Sequence, residues 1–417
     1  MAPGSPKTQR SLMEMPNEVL LEICEILYSH CSDIRFTFKK DLLSLSMANK
    51  RLRAIAQPFL LREARPRNIR GFLQIITEKP YLAAQVRRFC NSGDISLQEE
   101  VYEMTDDTNA SHYRLLERTL AKLTNAKRLS IDLPFSNGYE LEGSQKVSVS
   151  VSVPMKSVTR LSLRPWAHFD LGQIGDFLAM MPRLERLKVI HCTQIERQLP
   201  LASLRSLTLD YSLLGPYGFQ NIVGSCPKLE HLDLRFNRPI GGETIIYDPG
   251  VLTWAQAQGV LQSRRQTLKH LKLELSLDIH FARVADEEKY FGSFCGFNGL
   301  ESLWVPKASF GLDVRADMPT FPQSVQHLVS MLPESLTCIC FGGSYKKGKT
   351  IKVLAQAIEA GYFPSLKRVM VQESDDPGGA PSGYCKWLSA RLGVCFEILD
   401  WMEMKTEWKQ YTTAAYP

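Results

Sequence analysis

The stretch Leu229-Glu230-His231-Leu232-Asp233-Leu234-Arg235-Phe236-Asn237 places leucine at its first, fourth and sixth positions. Leu232 and Leu234 alternate with polar neighbours, the two-residue period of a strand that buries one face. The spacing returns at Leu184, Leu187 and Val189; at Leu204, Leu207 and Leu209; at Leu268, Leu271 and Leu273; at Leu300, Leu303 and Val305; and at Leu366, Val369 and Val371. Looser copies stand at Val158, Leu161 and Leu163 and at Leu336, Ile339 and Phe341, with partial ones at Ala126 to Ile131 and Val86 to Phe89. Short strands recurring every roughly 20–40 residues cannot bury their apolar face singly and do so by stacking on their neighbours. The array spans most of residues 80–375.

This is the spacing of leucine-rich repeats, so the expected class is α/β, a leucine-rich-repeat solenoid. Helix-like stretches separate the strands, as at His112 to Leu123, Ile174 to Met180, Gly218 to Val223 and Ile351 to Ala360. Pro182, Pro227 and Pro364 stop helices just before the next strand, because proline lacks the N–H a helix needs. Inserts near Ser136 to Ser152, Asn237 to Arg264 and Lys307 to Pro333 are expected to loop out, since closure entropy grows slowly with loop length.

With the leucines inward, the alternate strand residues form a ladder on an exposed concave face: Arg160, Ser162 and Arg164; Arg186 and Lys188; Thr208 and Asp210; His231, Asp233 and Arg235; His270, Lys272 and Glu274; Trp304; Arg368. Both signs of charge are present. Arginine and aromatic side chains dominate binding hot spots, which makes Arg164, Arg235 and above all Trp304 the candidate target-binding residues.

A different sequence precedes the repeats. Residues 1–11 are polar and are expected to be a disordered lead. From Pro16 to Tyr28 the apolar Val19, Leu20, Ile23, Ile26 and Leu27 keep helical spacing, with Pro16 in the first turn, where a missing N–H costs nothing. Asp41 is expected to cap a second helix through Leu42, Leu43, Leu45 and Met47. A third runs from Lys50 to Leu61 with Leu52, Ile55, Ala56 and Phe59 inward. Together they make about 45 residues, near the lower limit for a self-supporting core, so the bundle is expected to lean on a partner or on the solenoid.

Three blocks, Met15-Pro16-Asn17-Glu18-Val19-Leu20, Asp41-Leu42-Leu43-Ser44-Leu45 and Asn49-Lys50-Arg51-Leu52-Arg53, resemble an F-box. The resemblance covers residues 12–62, and with residues 63–417 as an irregular repeat domain ending in a C-terminal cap the chain is similar to fungal F-box/leucine-rich-repeat proteins. That family implies a substrate receptor of an SCF-type ubiquitin ligase. The F-box would dock a Skp-family adaptor, and through it a cullin, by Met15, Pro16, Val19, Leu20, Ile23 and Leu45, and the repeats would hold a protein target. The sequence departs from the family in Met15, in Leu52 and in a long insert from Ser29 to Lys40. The alternative is a repeat scaffold outside ubiquitin transfer, with the helices as its end cap.

Other classes find little support. A net charge of +6 over 417 residues, with acidic residues interleaved throughout, leaves no basic stripe for nucleic acid. No apolar run approaches the roughly 20 residues that cross a bilayer. The ten cysteines are scattered and read as mostly buried reduced thiols, which points to cytoplasm and/or nucleus and a non-secreted protein. Cys338-x-Cys340 falls on alternate strand positions rather than in a metal knuckle. The eight histidines form no ligand pair, and no nucleophile elbow occurs, so neither a metal, a cofactor nor a catalytic residue is expected.

One stretch imitates an enzyme. Gly343-Ser344-Tyr345-Lys346-Lys347-Gly348-Lys349-Thr350 fits the phosphate-binding loop, in which backbone N–H groups cradle phosphates, the lysine meets the outer ones and the threonine holds magnesium. Yet the apolar run before it, Leu336 to Phe341, keeps the register of the leucine repeats, and no run ending in a second magnesium-binding aspartate follows beyond Ile398-Leu399-Asp400, which reads as part of the cap. The loop is therefore expected to bind no nucleotide. Calorimetry with ATP or GTP and magnesium should give no heat of binding, and Lys349→Ala should leave stability unchanged; micromolar binding abolished by that substitution would restore the NTPase reading.

Overall fold

The computed structural model describes residues 12–29, 38–66, 68–91, 106–133, 153–165, 169–212, 214–236, 252–275, 291–306, 321–342, 348–372 and 382–414. Helices α1 (Asn17–Ser29), α2 (Phe38–Ala48) and α3 (Lys50–Arg62) come first. They close on Cys24, Leu42, Ala56 and Phe59, with Leu27, Tyr28, Leu45, Ile55 and Leu60 packed around them. Pro16 stands just ahead of α1, and its carbonyl accepts the Leu20 N–H at 3.2 Å. Asp41 does not cap α2, which begins at Phe38; it lies in the first turn, where a carboxylate faces the positive end of the helix dipole. Asn49 caps α3, its Oδ1 accepting the Leu52 N–H at 2.8 Å. Of the insert between the first two helices, residues 30–37 lie outside the described residues.

The strands are β1 (Glu63–Ala64), β2 (Arg88–Cys90), β3 (Arg128–Leu133), β4 (Arg160–Pro165), β5 (Phe169–Asp170), β6 (Arg186–Ile190), β7 (Cys192–Gln194), β8 (Ser206–Asp210), β9 (His231–Phe236), β10 (His270–Leu275), β11 (Ser302–Pro306), β12 (Cys338–Gly342), β13 (Arg368–Gln372) and β14 (Cys395–Leu399). Twelve of them pair in chain order, with β5 and β7 set apart as a two-stranded sheet. The fold is α/β with a parallel sheet. Parallel neighbours need a crossover, and helices lie between many of them: α4 (Ile69–Glu78), α5 (Pro80–Ala83), α6 (Asp106–Lys122), α7 (Gly175–Ala179), α8 (Pro216–Ser225), α9 (Trp254–Leu261), α10 (Phe321–Met331), α11 (Gly348–Glu359) and α12 (Ser382–Leu392). After the last strand comes α13 (Trp401–Ala414). Two compact units divide the chain inside β4, after Leu161.

In the second unit one register holds from β6 onward. Leu187, Leu207, Leu232, Leu271, Leu303, Ile339, Val369 and Phe396 stand side by side across the strands. All are buried. A slip of one residue would turn the whole row to the other face, so burial itself selects the register. The leucine that opens most motifs sets the phase: its N–H bonds the carbonyl three residues earlier, as in Leu204 to Leu201 at 3.0 Å, Leu229 to Cys226 at 3.2 Å and Leu300 to Phe297 at 2.9 Å, while Leu268 reaches four residues back to Arg264 at 2.9 Å. One carbonyl of each strand entry then accepts two N–H groups from the next. Arg205 takes those of Glu230 and His231, Glu230 those of Lys269 and His270, and Lys269 those of Glu301 and Ser302.

Two of the inserts do not simply loop out. Residues 237–251 and 307–320 lie outside the described residues, as do all of 136–152, but the remaining parts form α9 and α10. A reciprocal capping box opens α9, with Thr253 Oγ1 accepting the Gln256 N–H at 3.3 Å and Gln256 Oε1 accepting the Thr253 N–H at 3.0 Å. Trp254 then starts a run of ring contacts through Phe291, Phe294 and Phe297 at centroid distances of 4.5, 5.2 and 5.3 Å. All four rings are buried, which ties α9 to the turn ahead of β11, and the Phe294 N–H bonds the carbonyl of Met331 at the end of α10 at 2.7 Å. Strand β12, ahead of the Gly343–Thr350 loop, pairs in register with β11 and β13. Residues 343–347 of that loop lie outside the described residues.

The paired strands β9 and β10 carry a titratable contact. His231 and His270 are register partners whose rings stack at 4.3 Å and 14°, and His270 Nδ1 lies 2.5 Å from Ser302 Oγ. Burial, then the neighbouring charges of His270, Arg186 and Lys269, lowers the His231 pKa to about 3; burial and Lys269 lower that of His270 to about 4. Both rings are neutral in the fold at pH 7, while an unfolded histidine takes its proton near pH 6.5. The stability they permit is complete above about pH 6.5 and is lost as pH falls through about 4 for His270 and about 3 for His231. Urea unfolding between about pH 6.5 and about pH 4 should show a loss on the order of 3 kcal/mol for each ring, and His231→Asn with His270→Asn should flatten it. An unaltered slope in the double variant would assign the acid sensitivity elsewhere.

Candidate functional site

Among the described residues, two surfaces hold the expected contact residues. The first is on the helical bundle. Arg51 of α3 reaches back to the start of α1, donating from Nε to Asn17 Oδ1 at 2.9 Å and from Nη2 to the Met15 carbonyl at 2.6 Å. Arg62 pairs with Glu25 at 2.7 Å and lies over the Phe59 ring at 4.2 Å. The first and third blocks of the motif are thereby held together. Pro16 is exposed, Val19 is 39% exposed, and Met15, Ile23 and Leu45 are half-buried.

Leu20 requires a correction. It is fully buried within the chain, so its side chain is not presented to a partner's pocket. The apolar side chains that do stand in water include Val19 and Ile26 of α1 and Leu43 and Met47 of α2, Met47 at 69%. Leu43 and Met47 are one helical turn apart and share a face. They were legible only as an excess: Leu42, Leu43, Leu45 and Met47 are more apolar residues than one face of a short helix can bury.

The second surface is the side of the sheet opposite the leucine row. A chain of charges crosses it. Lys188 Nζ lies 3.2 Å from Asp210, Asp210 3.8 Å from Arg235, and Arg235 grips Asp233 with two hydrogen bonds of 3.0 and 2.6 Å. Arg235 also stands 3.7 Å from Glu274, whose carboxylate is 2.8 Å from Lys272 Nζ. Burial works against the Arg235 charge, but the Asp233 bond and the carboxylates of Asp210 and Glu274 outweigh it and raise its pKa. For Lys272 the balance is reversed: burial lowers its pKa in spite of Asp233 and Glu274. Its ammonium sits 3.1 Å from the centre of the Trp304 ring, a cation–π contact strengthened by the absence of water.

Trp304 is therefore not exposed, contrary to the expectation of a bare face. It is fully buried among Cys338, Cys340, Met370, Met404 and Trp408, with Trp408 edge-on at 5.4 Å and 87°. Met404 and Trp408 belong to α13, which lies across this part of the sheet. Arg368 Nη2 donates to Glu397 at 2.6 Å and to Glu407 of α13 at 2.9 Å. Among the three proposed target contacts, Arg235 and Trp304 are joined through Glu274 and Lys272, whereas Arg164 stands exposed on β4. Cys338 and Cys340 occupy alternate strand positions in the covered cluster, both unbridged, and burial pushes the Cys338 thiol up to about 12.

The burial pattern of the strands traces the cover. β6 alternates, while every residue of β12 and all but the last of β11 are buried. Its sequence signal is the loss of polar alternation in Leu303-Trp304-Val305 and Val369-Met370-Val371, since strands buried on both faces read as continuous apolar runs.

Among the described residues no helix is long and apolar enough to cross a membrane. No protein-family model matches the chain, and no curated protein matches it either.

Removing the Trp304 ring would leave a cavity against Trp408 and strip Lys272 of its stacked partner. Trp304→Ala should cost about 3–5 kcal/mol in chemical denaturation. A cost within about 0.5 kcal/mol, the range of an unburied surface position, would place the ring in solvent.

Proposed function

We propose that the chain is the substrate-recognition subunit of an SCF-type ubiquitin ligase, with an F-box docked on a Skp-family adaptor, and through it a cullin, and leucine-rich repeats holding a protein target. The observation that carries this reading is the set of apolar side chains left in water on a bundle whose core is already closed. Val19, Ile26, Leu43 and Met47 are exposed on a bundle whose interior is filled by Cys24, Leu42, Ala56 and Phe59. Full burial of such a side chain contributes about 1.5–3 kcal/mol, and since each is already partly covered a partner gains roughly half of that per residue. The chain supplies no chemistry of its own in this account. It raises the local concentration of the target at the ligase, which converts a bimolecular encounter into an intramolecular one.

A second reading, a leucine-rich-repeat scaffold outside ubiquitin transfer, is favoured by the way α3 runs directly into β1, which pairs with β2. On that view the bundle is an end cap. Pull-down of the full-length chain with a purified Skp-family adaptor separates the two. Capture by the wild type, lost in Val19→Asp with Met47→Asp at unchanged circular dichroism, supports the receptor. No capture by the wild type leaves the end cap. Leu20→Asp should instead unfold the bundle, because it buries a charge with no partner.

A further inference from the structure

The crossover helices α8 and α9 leave a cleft of about 600 Å³ between them, within the size range of ligand sites. Of the residues that line it only Arg264 is charged, and its guanidinium is committed to the end of α8, Nε donating to the Val223 carbonyl and Nη2 to that of Gly224, each at 3.1 Å. The remaining polar groups of the lining are neutral.

Two amides among them are each half fixed by the fold. Asn221 of α8 is 9% exposed, and its Nδ2 donates to the Ile195 carbonyl at 2.8 Å. That bond leaves Oδ1 as an acceptor with no hydrogen bond among the described residues, yet not sealed from solvent. Gln256 of α9 is the converse case: its Oε1 accepts the Thr253 N–H at 3.0 Å in the capping box, and Nε2 remains a donor with no bond among the described residues. An acceptor and a donor held in this way are ordered before any ligand arrives, which lowers the entropy cost of binding. In an extended chain the N–H and C=O of one residue point to the same side, the arrangement such a pair satisfies.

Glycines on both helices open onto the same space. Gly218 of α8 has a packing reason, since a Cβ there would meet the Ile195 nitrogen at 3.4 Å. Gly224 and Gly259 have none: a Cβ on the first would meet only Gln198 Nε2, at 3.7 Å, and one on the second nothing within 4 Å. Neither has a positive φ. Glycine within a helix is destabilising relative to alanine, and both of these line the cleft, where a missing Cβ admits another main chain at close range. Tyr217, 67% exposed, adds an aromatic ring to the lining.

We infer that this cleft binds an extended, uncharged segment of a partner protein through its main chain. One residue of that segment donates its N–H to Asn221 Oδ1 and accepts from Gln256 Nε2 at its carbonyl, its backbone passes over Gly224 and Gly259, and a neighbouring side chain packs on Tyr217. The inference depends on neither the adaptor nor the charged side of the sheet.

An immobilised library of uncharged heptapeptides, blocked at both ends, tests it on the full-length chain, each captured peptide being resynthesised for titration. Gly259→Leu fills open space, so it should melt no lower than the wild type and bind the peptide at least about tenfold more weakly. Gln256→Glu keeps an oxygen for the Thr253 N–H, and with it the capping box, but puts a second oxygen where the donor stood; the same loss at an unchanged melting temperature is expected. N-methylation of the seated residue should abolish binding, because it removes the N–H that Asn221 accepts. No capture by the wild type, wild-type affinity in the folded variants, or indifference to N-methylation at every position would overturn the inference. Should Gly259→Leu fail to melt cooperatively, Gln256→Glu decides alone. Adaptor capture by both variants should match the wild type, so failure here is distinguishable from failure of the ligase reading.

Discussion

The structure depends on keeping one row of leucines in phase. The motifs place a leucine at the closure of a tight turn and two apolar residues at alternate strand positions, and at most strand entries one carbonyl accepts two N–H groups from the next strand. Phase is thus transmitted by hydrogen bonds from strand to strand, while burial of the row penalises any slip. Because the constraint acts only at the strand and its entry, the connecting segments are free to vary. From Arg186 to Ser206 the interval is short, and from His231 to His270 it is nearly twice as long, yet the leucines still align.

The opposite side of the sheet obeys no such rule and is where the chain differs from strand to strand. At β8 to β10 it carries a connected set of charges, from Asp210 through Arg235 to Lys272, in which each cation has a carboxylate within reach. Buried ions of this kind are costly to desolvate and add little net stability, but they are expensive to break singly. At β11 to β13 the same side turns apolar and is covered by α13. Lys272 over Trp304 joins the two halves, a cation resting on the edge of an apolar cluster.

The bundle shows a related division between what a residue is and where it points. Leu20 and Val19 are neighbours of similar character, yet one is fully buried and the other stands in water. Successive helical residues are turned by about 100°, so adjacent apolar side chains serve different masters. Arg51 and Asn49 supply the specificity at the joints, the first tying α3 to the start of α1 and the second capping α3.

Sequence alone determined the parallel α/β character, the positions of most strands and the three helices at the start, because these follow from local periodicity and from turn and cap residues. It also contained the start of α9, since Thr253 with Gln256 is a capping pair. Tertiary structure alone decided which apolar residues face outward. Leu20 and Trp304 have the chemistry of contact residues, yet both are fully buried, Trp304 beneath Met404 and Trp408 of the last helix, an element remote in the chain. Periodicity gives the face on which a side chain lies; only the placing of another element determines whether that face meets water.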